Sequence, residues 1–201
     1  NHDAEREAAD WFRRLEAGDP EARRMWEVCC KVSYKEFERV YERLGIGFES
    51  VAGESFYQDK MPDTLIRMEE KGLLQKSEGA TIVDLSEWDM IPMLVRRSDE
   101  ATLYATRDVS AAEYRWETYR FEKMLYVVDV AQTLHFRQLF KVLELMDYEW
   151  ADRCEHVVFG RLRFKKGGMS TRRGKVIFLE DVLDRAVDLT RQIIDDKNPD
   201  L

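Results

Sequence analysis

Three polar clusters in the second half of the chain hold side chains that could bind charged ligands. The first is Tyr104–Asp108, the second is Gln132–His135, and the third is the glycine-rich stretch Gly167–Gly174. A carboxylate beside a tyrosine hydroxyl suits a guanidinium group, which offers several donors in a fixed fork. A loop with serine, threonine, arginine and glycine suits phosphates, because it combines hydroxyls, positive charge and accessible backbone amides. The three clusters are therefore compatible with an amino-acid site beside a nucleotide site.

Each cluster also has an interpretation that involves no ligand. Asp108 could cap the start of a helix, and Tyr104 could be a core tyrosine whose hydroxyl reaches the rim. His135, near the apolar face of a helix, could be a buried histidine with a satisfied hydrogen bond. The stretch Gly167–Gly174 could be an ordinary mobile loop, since glycine-rich loops are common. The residues alone leave both interpretations open for every cluster.

An alternation of strands and helices would position these clusters. We predict strands at Leu103–Thr106, Met124–Val128 and His156–Gly160, and helices at Asp108–Tyr119, Leu134–Met146 and Glu180–Asp195. This order is typical of an α/β fold with a parallel sheet and helices on its faces. The continuous apolar run Met124–Val128 predicts a strand that is buried on both faces. Ligands of open parallel sheets bind at the carboxyl ends of the strands, which is where the clusters fall.

The first half of the chain is predicted to be helical and then mixed. Asp19 followed by Pro20 predicts a helix start. Ser33, with Glu36 three residues later, predicts another start through a capping box, and Gly45 closes that helix. The remaining predicted elements are a strand at 46–52, a helix at Asp63–Gly72, and β-structure around Ala80–Leu85 and Met93–Arg97.

The bulk composition restricts the class of protein. The 201 residues carry a formal net charge of −8, with 44% hydrophobic and 36% charged residues, as in a globular protein with a core. An acidic body is unsuited to holding nucleic acid by charge alone. The basic residues that cluster between Arg161 and Lys175 instead suit a small polyanion such as a nucleotide phosphate. No apolar run reaches the roughly 20 residues of a membrane helix, and we expect a cytoplasmic protein without a signal peptide or membrane partner.

The cysteines do not indicate a metal site. Cys29, Cys30 and Cys154 lack the spacing of zinc ligands, and their odd number and adjacency disfavour disulfide pairing. They are expected to be reduced, mostly buried thiols of a cytosolic protein.

Seven stretches of the sequence form a recognisable series. They are Glu54–Tyr57, Tyr104–Asp108, Gln132–Phe136, Cys154–Val157, Phe159–Gly160, Gly168–Arg172 and Val176–Leu183. In this order they resemble the arginyl-tRNA synthetases, and the combination of the second and sixth stretches distinguishes these from other class I synthetases. The resemblance covers about Asp19 to Leu189. It implies three regions: a helical segment at 1–45, a strand with a small mixed insertion at 46–100, and the second half of a Rossmann-like domain at 101–201.

The resemblance implies a role for each matching residue. Tyr104 and Asp108 would receive the guanidinium group of arginine, and Gln132 would line the amino-acid site. The residues implied on the ATP side are His135, His156, Val157, Phe159 and Gly160. The catalytic loop implied to close on the ATP phosphates, which corresponds to the KMSKS loop of class I synthetases, consists of Gly168, Met169, Ser170, Thr171 and Arg172.

The sequence departs from the family pattern at two points. The loop begins with Gly168 where class I synthetases have lysine, so Lys165, Lys166 or a lysine outside this chain would have to replace it. None of the three histidines in the chain has the spacing of the His-x-Gly-His (HIGH) motif. Together with the start at Asn1 rather than methionine, this predicts an internal segment of a longer enzyme. We expect that segment to lack the anticodon-binding domain and the groups that hold the α-amino and carboxylate ends of arginine.

The implied function is ATP-dependent activation of L-arginine and its transfer to tRNA(Arg). ATP, together with Mg²⁺, is then a substrate, no resident metal is implied, and the separate chain is expected to be inactive. The alternative is a stand-alone regulatory module that binds arginine or ATP without aminoacylation. A partial sheet leaves one strand edge and one apolar face uncovered, so we also expect self-association or partial disorder of the separate chain.

Overall fold

The computed structural model describes residues 2–96, 104–160 and 178–198, which fall into two compact units. The first unit contains helices α1 (His2–Glu16), α2 (Pro20–Leu44) and α6 (Leu179–Lys197). The second unit begins at Val51. Its helices are α3 (Met61–Glu70), α4 (Tyr104–Tyr119) and α5 (Thr133–Leu145). Its strands are β1 (Leu74–Ser77), β2 (Ala80–Val83), β3 (Met93–Arg96), β4 (Met124–Asp129) and β5 (Cys154–Phe159).

The helix ends of the first unit follow local sequence signals. Asp19 caps α2 by accepting hydrogen bonds from the backbone amides of Glu21 (3.1 Å) and Ala22 (2.9 Å), as predicted. The bond from Ala22 is the main cause that lowers the pKa of the Asp19 carboxyl group. Gly45 ends α2 in the left-handed conformation, with a φ of 65°. The helix start predicted at Ser33 is wrong, because α2 is continuous there and an interior serine costs a helix only roughly half a kcal/mol.

Two ion pairs join α2 to the C-terminal helix of the same unit. Arg39 Nη2 lies 2.5 Å from Glu180 Oε2, and one turn further along each helix Arg43 Nη2 lies 2.6 Å from Asp184 Oδ1. One partner of each pair is exposed, so each pair stabilises the contact by less than about 1 kcal/mol. The helix predicted at Glu180–Asp195 is confirmed as α6. The strand predicted at 46–52 is wrong, because those residues pair with no strand of the described chain.

An antiparallel sheet of three strands begins the second unit. Its order is β1-β2-β3, and a two-residue turn joins the first pair. Both turn residues, Glu78 (φ 48°) and Gly79 (φ 81°), have the positive φ that a tight hairpin of matching twist requires. The helix predicted at Asp63–Gly72 is confirmed as α3. The β-structure predicted around Ala80–Leu85 and Met93–Arg97 is confirmed as β2 and β3, and Arg97 lies outside the described residues.

A parallel pair of strands with a helical crossover confirms the predicted α/β architecture. β4 and β5 run side by side, from Met124 opposite Cys154 to Asp129 opposite Phe159, and α5 connects them. The prediction that β4 is buried on both faces is wrong. Met124 and Tyr126 are buried, but Leu125 is 54% exposed and Val127 is 64% exposed. The rings of Phe136 and Phe140 on α5 pack against Tyr126 and so cover the buried face.

Helix α4 includes residues that were predicted to form a strand. Tyr104–Thr106 is its first turn, so the strand predicted at Leu103–Thr106 is wrong over these residues; Leu103 lies outside the described chain. Ala105, Val109 and Ala112 are all buried. Their spacing of four and then three residues is the period of a helix, and this face packs into the core.

A buried polar network ties α4 to α3. Glu113 accepts two hydrogen bonds from Arg67, at 2.9 Å from Nε and 2.5 Å from Nη2, and one from Thr64 Oγ1 at 2.5 Å. The hydroxyl of Tyr148 also donates to Glu113, and Ser110 Oγ lies 2.8 Å from Thr64 Oγ1. The hydrogen bonds that Arg67 donates to Glu113 raise the pKa of Arg67, which stays charged. A carboxylate with this many donors tolerates burial, and it holds the two helices in one register.

We expect Glu113→Gln to destabilise the second unit by about 2–3 kcal/mol, because it removes the charge that Arg67, Thr64 and Tyr148 satisfy. Urea denaturation followed by circular dichroism would measure this loss. Glu117→Gln is the matched control, since Glu117 is an exposed carboxylate one turn later on the same helix. Equal stabilities for the two variants would contradict the assigned role of the network.

Candidate functional site

Two helices of the second unit bring a carboxylate and an imidazole together. Asp108 Oδ2 lies 2.6 Å from His135 Nε2, and α4 and α5 supply the two residues. The His135 side chain is 9% exposed, whereas the Asp108 side chain is 38% exposed. Asp108 is the fifth residue of α4, so the interpretation that it only caps the helix is wrong. The pair therefore presents a carboxylate to solvent with a buried histidine behind it.

The ring of Phe136 lies beside the rings of both histidines in this region. The ring of Phe136 lies 5.2 Å from that of His135 and 4.4 Å from that of His156, measured between centroids. His156 Nε2 lies 3.0 Å from the carbonyl oxygen of Val128, so the ring nitrogen donates to the neighbouring strand. His156 thus has a backbone partner on β4, and this bond reinforces the parallel pair.

The carboxyl ends of the parallel strands carry further residues of the predicted site. Asp129 ends β4, and its Oδ1 accepts a hydrogen bond of 2.8 Å from the amide of Ala131, which starts a short helical turn over Val130–Gln132. Gln132 is exposed at the end of this turn, directly before α5. On β5 and just after it, Val157, Phe159 and Gly160 are exposed as well.

Several predicted site residues lie outside what the structure describes. Tyr104 is the first residue of α4, but its side chain is not described. The catalytic loop Gly168–Arg172 and both candidate lysines, Lys165 and Lys166, fall in the undescribed range 161–177. The predicted roles of all these residues remain predictions.

Tyr126 on β4, which is buried, was not identified by the sequence analysis. The hydroxyl of Tyr126 is buried and makes no hydrogen bond within the described residues, although the Arg115 guanidinium lies 5.6 Å from its ring centroid. Burial is the main cause that raises the pKa of Tyr126; the nearby Arg115 opposes it, and Cys154 and Asp108 add to it. Burial also raises the pKa of the Cys154 thiol to about 12, with a smaller contribution from Asp152. An inward position on an alternating strand was the signal that could have identified Tyr126.

The described residues contain neither a cluster of metal ligands nor a membrane-spanning helix. Within 2–96, 104–160 and 178–198, no three His, Cys, Asp or Glu side chains come together as a metal site would require. None of the helices in those ranges has the length and apolar character to cross a membrane.

Comparison with known proteins assigns the family. A family model described as "tRNA synthetases class I (R), catalytic domain" matches residues 2–201. This chain belongs to the class I arginyl-tRNA synthetase family. It is 55% identical over 201 residues to the arginine–tRNA ligase of Halothermothrix orenii, covering 100% of this chain and 36% of that protein. It is 54% identical over 195 residues to the arginine–tRNA ligase of Clostridioides difficile, covering 97% and 34%. The chain therefore spans about a third of the length of these relatives.

Solved synthetase structures share the fold. The arginyl-tRNA synthetase of Plasmodium falciparum superposes with a TM-score of 0.75 at 23% identity, over 100% of this chain and 34% of that one. The Thermus thermophilus arginyl-tRNA synthetase gives a TM-score of 0.54 at 18% identity, over 72% and 30%. At these identities the likeness concerns the fold alone, and it agrees with the α/β architecture of the synthetase family.

The buried thiol generates a prediction on pH. Because the folded state keeps Cys154 protonated above its ordinary pKa of 9.0 and up to about 12, the folded state binds more protons than the unfolded state in this window. The free energy of unfolding should therefore fall as pH rises through it, by up to about 1.4 kcal/mol per pH unit for one proton.

Urea denaturation at several pH values would measure that slope. The raised pKa values of Tyr126 and Tyr148 act in the same direction at the upper end, so the informative quantity is the difference between wild type and Cys154→Ala. The variant should show a flatter decline. Identical slopes would show that the thiol does not contribute.

Proposed function

We propose that this chain forms part of the catalytic domain of an arginine–tRNA ligase, which activates L-arginine with ATP and transfers it to tRNA(Arg). The observation that carries the proposal is the partly exposed carboxylate of Asp108, backed by buried His135, in a chain of the arginyl-tRNA synthetase family. Relatives at 54–55% identity are named arginine–tRNA ligases.

Asp108 is proposed to receive the guanidinium group of the substrate. Its Oδ2 contacts His135, and its Oδ1 makes no hydrogen bond with any described residue, which leaves an acceptor for a cationic donor. A charge-assisted hydrogen bond to a guanidinium is among the stronger polar contacts that a protein can offer. Tyr104, the first residue of α4, and Gln132, which directly precedes α5, would complete the amino-acid site.

The ATP side is proposed to follow the second parallel strand. His156, Val157, Phe159 and Gly160 lead toward the adenine site. The loop Gly168–Arg172 would close on the phosphates. Because position 168 is glycine where class I synthetases have lysine, a lysine such as Lys165 or Lys166 would take over its role. Mg²⁺ would accompany ATP rather than reside in the protein.

The proposed reaction has two steps. The carboxylate of arginine attacks the α-phosphate of ATP, an anhydride bond to AMP forms, and pyrophosphate leaves. A hydroxyl of the terminal ribose of tRNA(Arg) then attacks the arginyl carbonyl, an ester forms, and AMP leaves. The protein contributes mainly by positioning the reactants and stabilising the developing negative charge.

The cellular location and the self-association of the chain belong to the same proposal. Synthetases act on tRNA and ATP, so we infer a cytoplasmic location. Self-association of the separate chain stays a prediction, based on the exposed apolar side chains of Leu125 and Val127.

In the complete ligase, Asp108→Asn should raise the KM for arginine roughly 10- to 100-fold and change the KM for ATP little, because it removes the charge that faces the guanidinium. Steady-state aminoacylation with each substrate varied in turn would measure both constants. Asp147→Asn is the control, since Asp147 is an exposed carboxylate paired with Lys71 on the surface. Equal losses for arginine and ATP would argue that Asp108 has only a structural role.

The separate 201-residue chain should not form arginyl-adenylate, because it holds no HIGH motif. The test is arginine-dependent exchange of labelled pyrophosphate into ATP, with tRNA(Arg) present and the complete ligase as the positive control. Exchange above background would mean that the second half of the active site is sufficient for activation, against this proposal.

A further inference from the structure

The contact between Asp108 and His135 makes the two oxygens of the Asp108 carboxylate different. Oδ2 lies 2.6 Å from the imidazole, while Oδ1 has no partner among the described residues. An aspartate side chain turns readily about its two torsions unless a neighbour holds it. A bond to one oxygen determines where the other points.

His135 is held more firmly than the residue it contacts. It lies in the first turn of α5, and that helix is anchored by Leu139, Val142 and Leu143, all of them fully buried. Its ring also packs edge-on against Phe136. Geometry that comes from a packed helix is more precise than geometry from a mobile loop, so the imidazole can serve as a fixed reference for Asp108.

The pair offers a carboxylate oxygen to a ligand that donates hydrogen bonds. His135 can donate its Nε2–H to Oδ2 of Asp108, and Oδ1 is then left to accept from that ligand. Supporting hydrogen bonds of this kind orient a ligand-binding group without neutralising it. A carboxylate held in this way is better prepared for a guanidinium than one that must first give up rotational freedom.

We propose that His135 is a positioning residue for arginine recognition, which holds Asp108 through Oδ2 so that Oδ1 meets the guanidinium of the substrate. This inference rests on the proposed function, because it takes Asp108 as the arginine receptor. It places His135 on the arginine side, whereas the family resemblance implies the ATP side.

Kinetics of three variants of the complete ligase test the role. His135→Leu, which cannot donate a hydrogen bond, should raise the KM for arginine roughly tenfold and change the KM for ATP less than about twofold. His135→Gln places an amide N–H near the position of Nε2 and should recover most of the loss. Gln138→Leu is the matched control, because Gln138 is a buried polar residue one turn later on α5 whose bond of 2.8 Å goes to the carbonyl of Ile91. It should lower the melting temperature and leave the KM for arginine near wild type.

The outcomes separate this inference from the proposed function. A wild-type ligase without arginine-dependent aminoacylation would refute the proposed function, and this inference with it. An active wild type with an unchanged KM for arginine in His135→Leu would overturn the positioning role alone. Equal increases in both KM values, or an equal effect of Gln138→Leu on arginine, would also overturn it, since general loosening of α5 would then explain the data. A selective arginine defect that His135→Gln restores supports it.

Discussion

The parallel pairing of β4 with β5 is the constraint on which the described site depends. Parallel neighbours cannot be joined by a tight turn, so the chain must leave the carboxyl end of β4, cross over, and return to the start of β5. Here the crossover is α5, and its first turn necessarily lies near the end of β4. That turn holds His135. Because α4 packs beside α5, Asp108 on α4 comes within hydrogen-bond distance of a residue that the crossover has placed.

Helix α4 carries two carboxylates that are used in opposite ways. Glu113 is buried, accepts bonds from three other side chains and ties α4 to α3. Asp108, five positions earlier, has a single partner among the described residues and keeps one oxygen uncommitted. Glu113, which accepts hydrogen bonds on both of its oxygens, holds α4 in place. Asp108 keeps one oxygen without a partner among the described residues. Local rigidity and the proposed ligand binding are thus assigned to different residues of one helix.

Sequence patterns identified the elements with long or unambiguous signals. Helix α6 and the Asp19 cap were predicted because helical periodicity and end signals agree there. The strand predicted at Leu103–Thr106 failed because so short an apolar run does not distinguish a strand from a helical turn. The face of β4 that carries Leu125 and Val127 was predicted to be buried, and this prediction was wrong. A continuous apolar run does not show what covers each face of a strand.

The candidate site was predictable as a set of residues but not as an arrangement. The family resemblance pointed to both Asp108 and His135, yet assigned them to different substrates. Their contact joins residues 27 positions apart and depends on how α4 and α5 cross, which no local pattern contains. The Tyr126 hydroxyl, which is buried without a hydrogen-bond partner among the described residues, is likewise a property of packing and not of spacing.

The exposed side of β4 leaves this strand covered on one face only. Leu125 and Val127 form an exposed hydrophobic surface on a sheet that has two parallel strands in the described chain. A surface that covered these side chains would add apolar burial, at roughly 25 cal/mol for each Å² removed from water. Any neighbour with a complementary apolar face would therefore stabilise the parallel pair.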